Sequence, residues 1–219
     1  MSKQQIDDAV SPYELTSILN KGNIEYILIE GHVLCYFTGS PKATIDVDVI
    51  VSNTHMSRAV RAIKAEFPQY DFEDMVYNVR FCSKKKESSV DSERIDVIRS
   101  NNPFFQKILK KYTVPIISKG QKVNVPAVEA AIALKFAAAI SPNRSDEDRP
   151  QDRTDLTTII KKHQNIKQEV LSELGDLIYP GRYRSLQRKK VLQQCMLFFD
   201  ANKVQVWTFW DLHLDMTRI

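Results

Sequence analysis

The stretch from Ala43 to Ser52, ATIDVDVIVS, restricts the fold more than any other part of the chain. Its β-branched residues favour a strand, and a run this apolar favours a buried one. Side chains of a strand alternate between two faces, so the apolar residues are expected to face the core. Thr44, Asp46 and Asp48 then share the other face, where carboxylates are costly unless something offsets their loss of water.

Two carboxylates on one strand face, about 7 Å apart by the rise of a strand, suit a hard divalent cation. Mg²⁺ is commonly held by one or two carboxylates together with substrate phosphates. A third carboxylate, Asp96, lies in a similar setting in the later stretch RIDVI. If the two strands are neighbours, Asp46, Asp48 and Asp96 form a triad that repels itself unless a metal or protons neutralise it. An ordinary polar face of a half-exposed antiparallel sheet would give the same pattern, so both interpretations stay open at this point.

The character of the sequence changes near Pro126. Before it, short apolar strands alternate with amphipathic helices; after it, an Ala-rich helix and further helical patterns follow. We therefore expect an α+β core over residues 1–125 and a C-terminal helical region over residues 126–219. A chain of 219 residues can bury a core without disulfides. Its three scattered cysteines favour a reduced, cytoplasmic protein, and no apolar stretch is long enough to cross a membrane.

The segment YILIEGHVLCYFTGSPKATIDVDVIV resembles the signature of the nucleotidyltransferase (polymerase-β-like) superfamily. That signature is an apolar strand, a Gly-Gly or Gly-Ser turn, a short helix and a strand with Asp-x-Asp. It is similar, more narrowly, to the minimal bacterial branch that includes AbiEii-type toxins. Gly31 matches the second glycine, Thr44 the threonine, Asp46 and Asp48 the metal-binding pair, and Asp96 the third carboxylate. The resemblance implies a mixed β-sheet flanked by helices.

The resemblance continues in a later segment, from Val125 to Leu156, which places one lysine, one arginine and two aspartates on matching positions. These residues are Lys135, Arg149, Asp152 and Asp155. Lys135 is expected to face the nucleotide or to brace the carboxylates, although a lysine at the edge of a core gives the same pattern. Helix capping or a favourable interaction with the helix dipole accounts equally well for the two aspartates.

The resemblance implies two-metal transfer of NMP from an NTP to an acceptor, which is RNA, a protein or a small molecule. Asp46 and Asp48 would hold Mg²⁺ (or Mn²⁺), while Asp96 would help to bind the second metal and activate the acceptor hydroxyl. Backbone N–H groups at the helix that begins with Gly31 would receive a phosphate. The other expected nucleotide contacts are His32, Lys42, Thr44 and Lys135. For His32, an ordinary role at the start of the helix is the alternative.

Two residues depart from the family pattern. Glu30 occupies the position of the first small residue of the turn, and its carboxylate would repel phosphate oxygens. Lys42 stands where the family often has Arg, which replaces a bidentate fork by a point charge. These departures leave a second hypothesis open: a catalytically degenerate member that binds nucleotide or a protein partner, as half of a toxin–antitoxin pair.

Overall fold

The computed structural model describes residues 10–39, 44, 46–84, 94–141, 144–163 and 165–178. Two compact units divide the chain, Met1–Pro126 and Ala127–Ile219. The described residues of the first unit form seven strands and four α-helices, which run in the order α1 (Pro12–Lys21), β1 (Tyr26–Ile29), α2 (Gly31–Thr38), β2 (Val47–Val51), α3 (Met56–Glu66), β3 (Tyr70–Asp74), β4 (Asn78–Ser83), β5 (Arg94–Arg99), α4 (Pro103–Lys111), β6 (Thr113–Ser118) and β7 (Gln121–Pro126).

Local signals account for where the helices of this unit begin and end. Ser11 caps α1 by accepting from the N–H of Tyr13, and Glu14 returns a bond to the N–H of Ser11, which completes a capping box. Helix α2 ends at Gly39, whose left-handed φ of 62° suits glycine. Asn102 caps α4 through the N–H of Phe105. Each of these boundaries is thus marked by a local capping residue.

Five strands form one mixed sheet in the order β1-β2-β5-β4-β3, and β6 pairs with β7 in a separate antiparallel hairpin. Strands β2 and β5 are parallel, whereas the other neighbours in the sheet are antiparallel. Val47, Val49, Ile50 and Val51 of β2 are fully buried, so this central strand anchors the core. The expectation of a mixed sheet flanked by helices is confirmed.

Two details differ from the sequence expectation. The strand of the opening stretch begins only at Val47, so Asp46 precedes it. Strand β3 was not predicted, because only Tyr70 of its five residues is buried and the alternation of apolar and charged residues in YDFED is short. Its position at the edge of the sheet explains this, since an edge strand can leave even Phe72 exposed.

The second unit is helical in its described part. It contains α5 (Val128–Ala139), α6 (Arg149–Lys162) and α7 (Gln168–Ile178). Helix α5 packs against both other helices, and its small alanines allow this close approach. Among the described residues of the whole chain, no helix is long and apolar enough to cross a bilayer.

Candidate active site

Asp48 and Asp96 lie side by side at the centre of the sheet. They are register partners on the parallel strands β2 and β5, and neighbouring strands are about 4.8 Å apart. Burial, together with the negative charges of Glu30, Asp96 and Asp46, raises the pKa of Asp48 to about 7, while Arg94 opposes this shift. The two strands are therefore neighbours, and the three aspartates are close enough to interact electrostatically; their role as a metal-binding triad stays a prediction.

Asp46 is held in place from the start of α2. The Thr44 hydroxyl donates to the carbonyl oxygen of Asp46 at 3.2 Å. The His32 side chain also bonds to the Asp46 backbone, and this bond partly offsets the lowering of the His32 pKa by burial. Two of the predicted nucleotide contacts thus fix the backbone that carries the first predicted metal ligand.

Only glycine fits at position 31, because the side chain of Thr44 packs closely against it. A Cβ at position 31 would lie 2.8 Å from Cγ2 and 3.0 Å from Cβ of Thr44, closer than real Cβ contacts. Because Thr is branched at Cβ, its side chain cannot easily move away. The glycine at the start of α2 therefore lets the segment carrying Thr44 and Asp46 approach the helix.

Glu30 occupies a strained position immediately before α2. Its φ of 62° and ψ of −142° lie in a region that glycine adopts far more readily than other residues. The residue caps α2 without a side-chain hydrogen bond to the helix. The family pattern has a small residue here, and the backbone of this chain retains a glycine-like conformation although the residue is Glu.

Two arginines neutralise the carboxylates in this structure. Arg94, the first residue of β5, donates to Oδ2 of Asp46 through Nη2 and, at 3.2 Å, through Nε. Arg80, the register partner of Asp96 on β4, donates to both oxygens of Asp96 at 3.0 and 3.3 Å. Asn78 adds a bond of 2.6 Å to Asp96 Oδ1. Sequence reasoning missed these arginines, because their partners lie 16 and 48 residues away along the chain.

The donor set is nevertheless suited to a divalent cation. Within the described residues, Asp46 Oδ1 is buried and has no hydrogen-bond partner. Hard carboxylate oxygens are the ligands that Mg²⁺ prefers, and a cation would offset both the burial and the repulsion that raise the pKa of Asp48. The described side chains do not already form a group of three or more acidic, histidine or cysteine ligands arranged around a metal position. Metal binding would thus require the arginine-paired carboxylates to reorient.

A pocket of about 330 Å³ adjoins this cluster in the first unit. His32 lines it together with Tyr13, Tyr36 and apolar residues of β1, β6 and β7. Its volume is within the range of about 300–1,000 Å³ that small-molecule sites occupy. His32 therefore connects the pocket to the Asp46 backbone.

Lys135 lies in the second unit, where it contacts two aspartates. Its ammonium is buried on α5 and pairs with Asp152 at 3.2 Å and Asp155 at 3.6 Å on α6. Arg144 adds two bonds to Asp152, at 2.7 and 3.2 Å. Arg149 donates to the carbonyl oxygen of residue 139, the last of α5, and to those of residues 141 and 144 beyond it. These residues join α5 to α6; nucleotide contact by Lys135 stays a prediction.

One predicted site residue, Lys42, lies outside the described residues. The structure therefore brings together Gly31, His32, Thr44, Asp46, Asp48 and Asp96 in the first unit. It adds Glu30, Arg80 and Arg94 to that group.

The sequence matches no protein-family model and no curated protein sequence. Solved structures do match the fold. The antigenic nucleotidyltransferase-like protein from Paracoccidioides brasiliensis superposes with a TM-score of 0.52 at 14% identity, covering 91% of this chain and 89% of that one. The structure of ANT(2'')-Ia in complex with adenylyl-2''-tobramycin gives a TM-score of 0.50 at 11% identity, covering 76% of this chain and 93% of that one. At such identities the likeness shows a shared fold, which is that of nucleotidyltransferase-like proteins.

Proposed function

We propose that this protein is a metal-dependent nucleotidyltransferase that transfers NMP from an NTP to an acceptor hydroxyl. The observation that carries the proposal is the register of Asp48 with Asp96 on adjacent parallel strands, with Asp46 two positions earlier. The shared fold with nucleotidyltransferase-like proteins supports it. The narrower likeness to AbiEii-type toxins is supported by the sequence pattern alone.

Each residue of the site has a distinct part in the proposed reaction. Asp46 and Asp48 would hold Mg²⁺ or Mn²⁺, which neutralises phosphate charge and lowers the pKa of a bound hydroxyl. Thr44 and His32 keep the Asp46 backbone in position. Asp96 would orient the acceptor hydroxyl and take its proton as the oxygen attacks the α-phosphorus. Pyrophosphate leaves from the opposite side of that phosphorus.

Among the acceptors, a small molecule is favoured by the pocket beside His32. An acceptor in this pocket would lie next to the residue that bonds the Asp46 backbone. ANT(2'')-Ia was solved with adenylyl-2''-tobramycin, an adenylylated small molecule. RNA ends and protein hydroxyls stay in the test as competing acceptors.

Transfer of label tests the proposal directly. The protein would be incubated with α-³²P-labelled NTPs, Mn²⁺ or Mg²⁺, and separate pools of hydroxyl-bearing small molecules, RNA and protein. Asp46→Asn and Asp48→Asn keep the side-chain shape and should abolish transfer, whereas Asp71→Asn, an exposed acid on β3, should not. Label transfer that survives both site substitutions would refute the proposal.

A second function is favoured by one observation, the neutralisation of Asp46 and Asp96 by arginines. A degenerate member that binds nucleotide or a partner protein, such as the other half of a toxin–antitoxin pair, needs no metal between its carboxylates. Calorimetry with NTP, with and without Mg²⁺, separates the two. Nucleotide binding that is unchanged by Mg²⁺ and by Asp48→Asn would favour the binding module.

A further inference from the structure

Arg94 is the one cation that contacts Asp46 among the described residues. Its guanidinium bonds a single oxygen of that carboxylate, Oδ2, through Nε and Nη2. The Arg94 side chain is 43% exposed, so it can turn away without opening the core. Arg80 differs, because it bonds both oxygens of Asp96 and shares that carboxylate with Asn78.

A divalent cation and Arg94 compete for the same carboxylate. If the cation binds Asp46, two positive groups share one negative partner at close range, and they repel each other. The guanidinium would then need another anion. In a nucleotidyltransferase that anion is present, because the triphosphate must approach the same carboxylates.

The start of α2, where a phosphate would arrive, carries a negative charge. Glu30 places a negative charge immediately before α2, the helix whose N-terminus would receive a phosphate. A planar guanidinium binds phosphate in a bidentate manner, which a lysine cannot do. Arg94 is the first residue of β5. Its positive charge opposes the effect of the negative charge of Glu30 on the pKa of Asp48.

We propose that Arg94 is a phosphate-binding residue with two alternating partners: Asp46 when no metal is bound, and the triphosphate when metal is bound. This inference rests on the proposed function. It makes Arg94 a competitor of the metal in the absence of nucleotide and a ligand of the nucleotide in its presence. The two roles predict opposite effects of removing its charge.

The test measures metal and phosphate binding separately, so it needs no turnover. Binding of Mn²⁺ alone is followed by electron paramagnetic resonance. Binding of Mn²⁺–ATP and of Mn²⁺–tripolyphosphate, which has the phosphate chain without a base, is followed by calorimetry. Arg94→Ala should bind Mn²⁺ alone about tenfold more tightly, because the competing cation is gone. It should bind both phosphate probes about ten- to a hundredfold more weakly, the range expected for a lost charge-assisted hydrogen bond.

Two further variants make the outcome decisive. Arg94→Lys keeps the charge but loses the fork, so its Mn²⁺ affinity should stay near that of the wild type while its phosphate affinity falls. Arg99→Ala is the matched control, since Arg99 ends the same strand and pairs with Asp74; neither affinity should change. Circular dichroism of each variant confirms that the fold is retained.

The failures of the two proposals are distinguishable. If the wild type and Arg94→Ala both bind Mn²⁺ but with equal affinity, or if both affinities shift in the same direction, the role of Arg94 is refuted while the metal site stands. If neither protein binds Mn²⁺ in the presence or absence of nucleotide, the proposed function is refuted and this inference with it.

Discussion

Asp48 and Asp96 face each other in register on the parallel strands β2 and β5, and Glu30 and Asp46 add two more negative charges to their surroundings. Burial and these charges raise the pKa of Asp48 to about 7. A carboxylate with a raised pKa keeps its proton in the folded chain at pH values where the unfolded chain has lost it. The folded chain is therefore less stable with Asp48 deprotonated than with Asp48 protonated.

The first prediction is that the contribution of Asp48 to the stability of the metal-free protein falls as the pH rises from about 4 to about 7. In this window Asp48 keeps its proton in the folded state but loses it in the unfolded state, so its contribution to the free energy of unfolding falls with pH. The contribution is fully present below the unfolded pKa and is lost above the folded pKa. Asn does not titrate, so the stability of Asp48→Asn should not show this fall. Relative to the wild type, the variant should therefore become more stable by on the order of 4 kcal/mol between pH 4 and pH 8.

Urea unfolding in the presence of a chelator measures this difference at each pH. Asp71→Asn serves as the control, because Asp71 is exposed and pairs only at the surface with Lys84. A difference between Asp48→Asn and the wild type that does not change with pH would contradict the raised pKa.

The second prediction concerns the strain at Glu30. Glu30→Gly and Glu30→Gln both remove the negative charge, but only glycine relieves the backbone at φ 62° and ψ −142°. Glu30→Gly should therefore be more stable than Glu30→Gln by about 1–3 kcal/mol, measured by chemical unfolding. Asn23→Gly is the control, since asparagine tolerates its left-handed φ of 45° and little should change. Equal stability of the two Glu30 variants would show that the position is not strained.

Features of the fold that depend on residues close together in the sequence can be predicted from it. The capping box of Ser11 and Glu14, the left-handed Gly39 and the β-branched core of β2 can each be identified from a few neighbouring residues. The alternation of side chains along a strand also led to the hypothesis that Asp46 and Asp48 share a face, and their role as metal ligands stays a prediction.

Features that depend on residues far apart in the sequence were not predicted. Strand β3 is an edge strand in which only Tyr70 is buried, and its alternation of apolar and charged residues is too short to identify a strand. Arg80 and Arg94 meet their aspartates only through strand register, which residues 16 and 48 positions apart do not reveal. The same holds for Lys135, whose partners on α6 are set by helix packing and not by spacing.

The third prediction tests the close packing of Gly31 against Thr44. Gly31→Ala places a Cβ 2.8 Å from Thr44 Cγ2 and should destabilise the protein by about 1–3 kcal/mol. Thr44→Ser removes that methyl group, so the double variant should be more stable than the sum of the single effects predicts. Thermal unfolding of the four proteins gives the coupling.

Gly22→Ala is the control for this cycle. Its Cβ would also approach within 2.8 Å of a side chain, but that atom is the flexible Cδ1 of Ile24, and the φ of −76° at Gly22 suits alanine. Its effect should be small. Purely additive effects of Gly31→Ala and Thr44→Ser would mean that the two residues do not constrain each other.

The fourth prediction separates a structural from a nucleotide-binding role for Lys135. Lys135→Met leaves Asp155 without its buried cation and Asp152 with Arg144 alone, and should destabilise the protein by about 3–5 kcal/mol. Adding Asp155→Asn removes one uncompensated charge and should recover part of the loss. Lys122→Met, at an exposed position of β7, is the matched control and should change little. A Lys135→Met protein that keeps its stability but binds Mn²⁺–ATP more weakly would instead assign this lysine to the nucleotide.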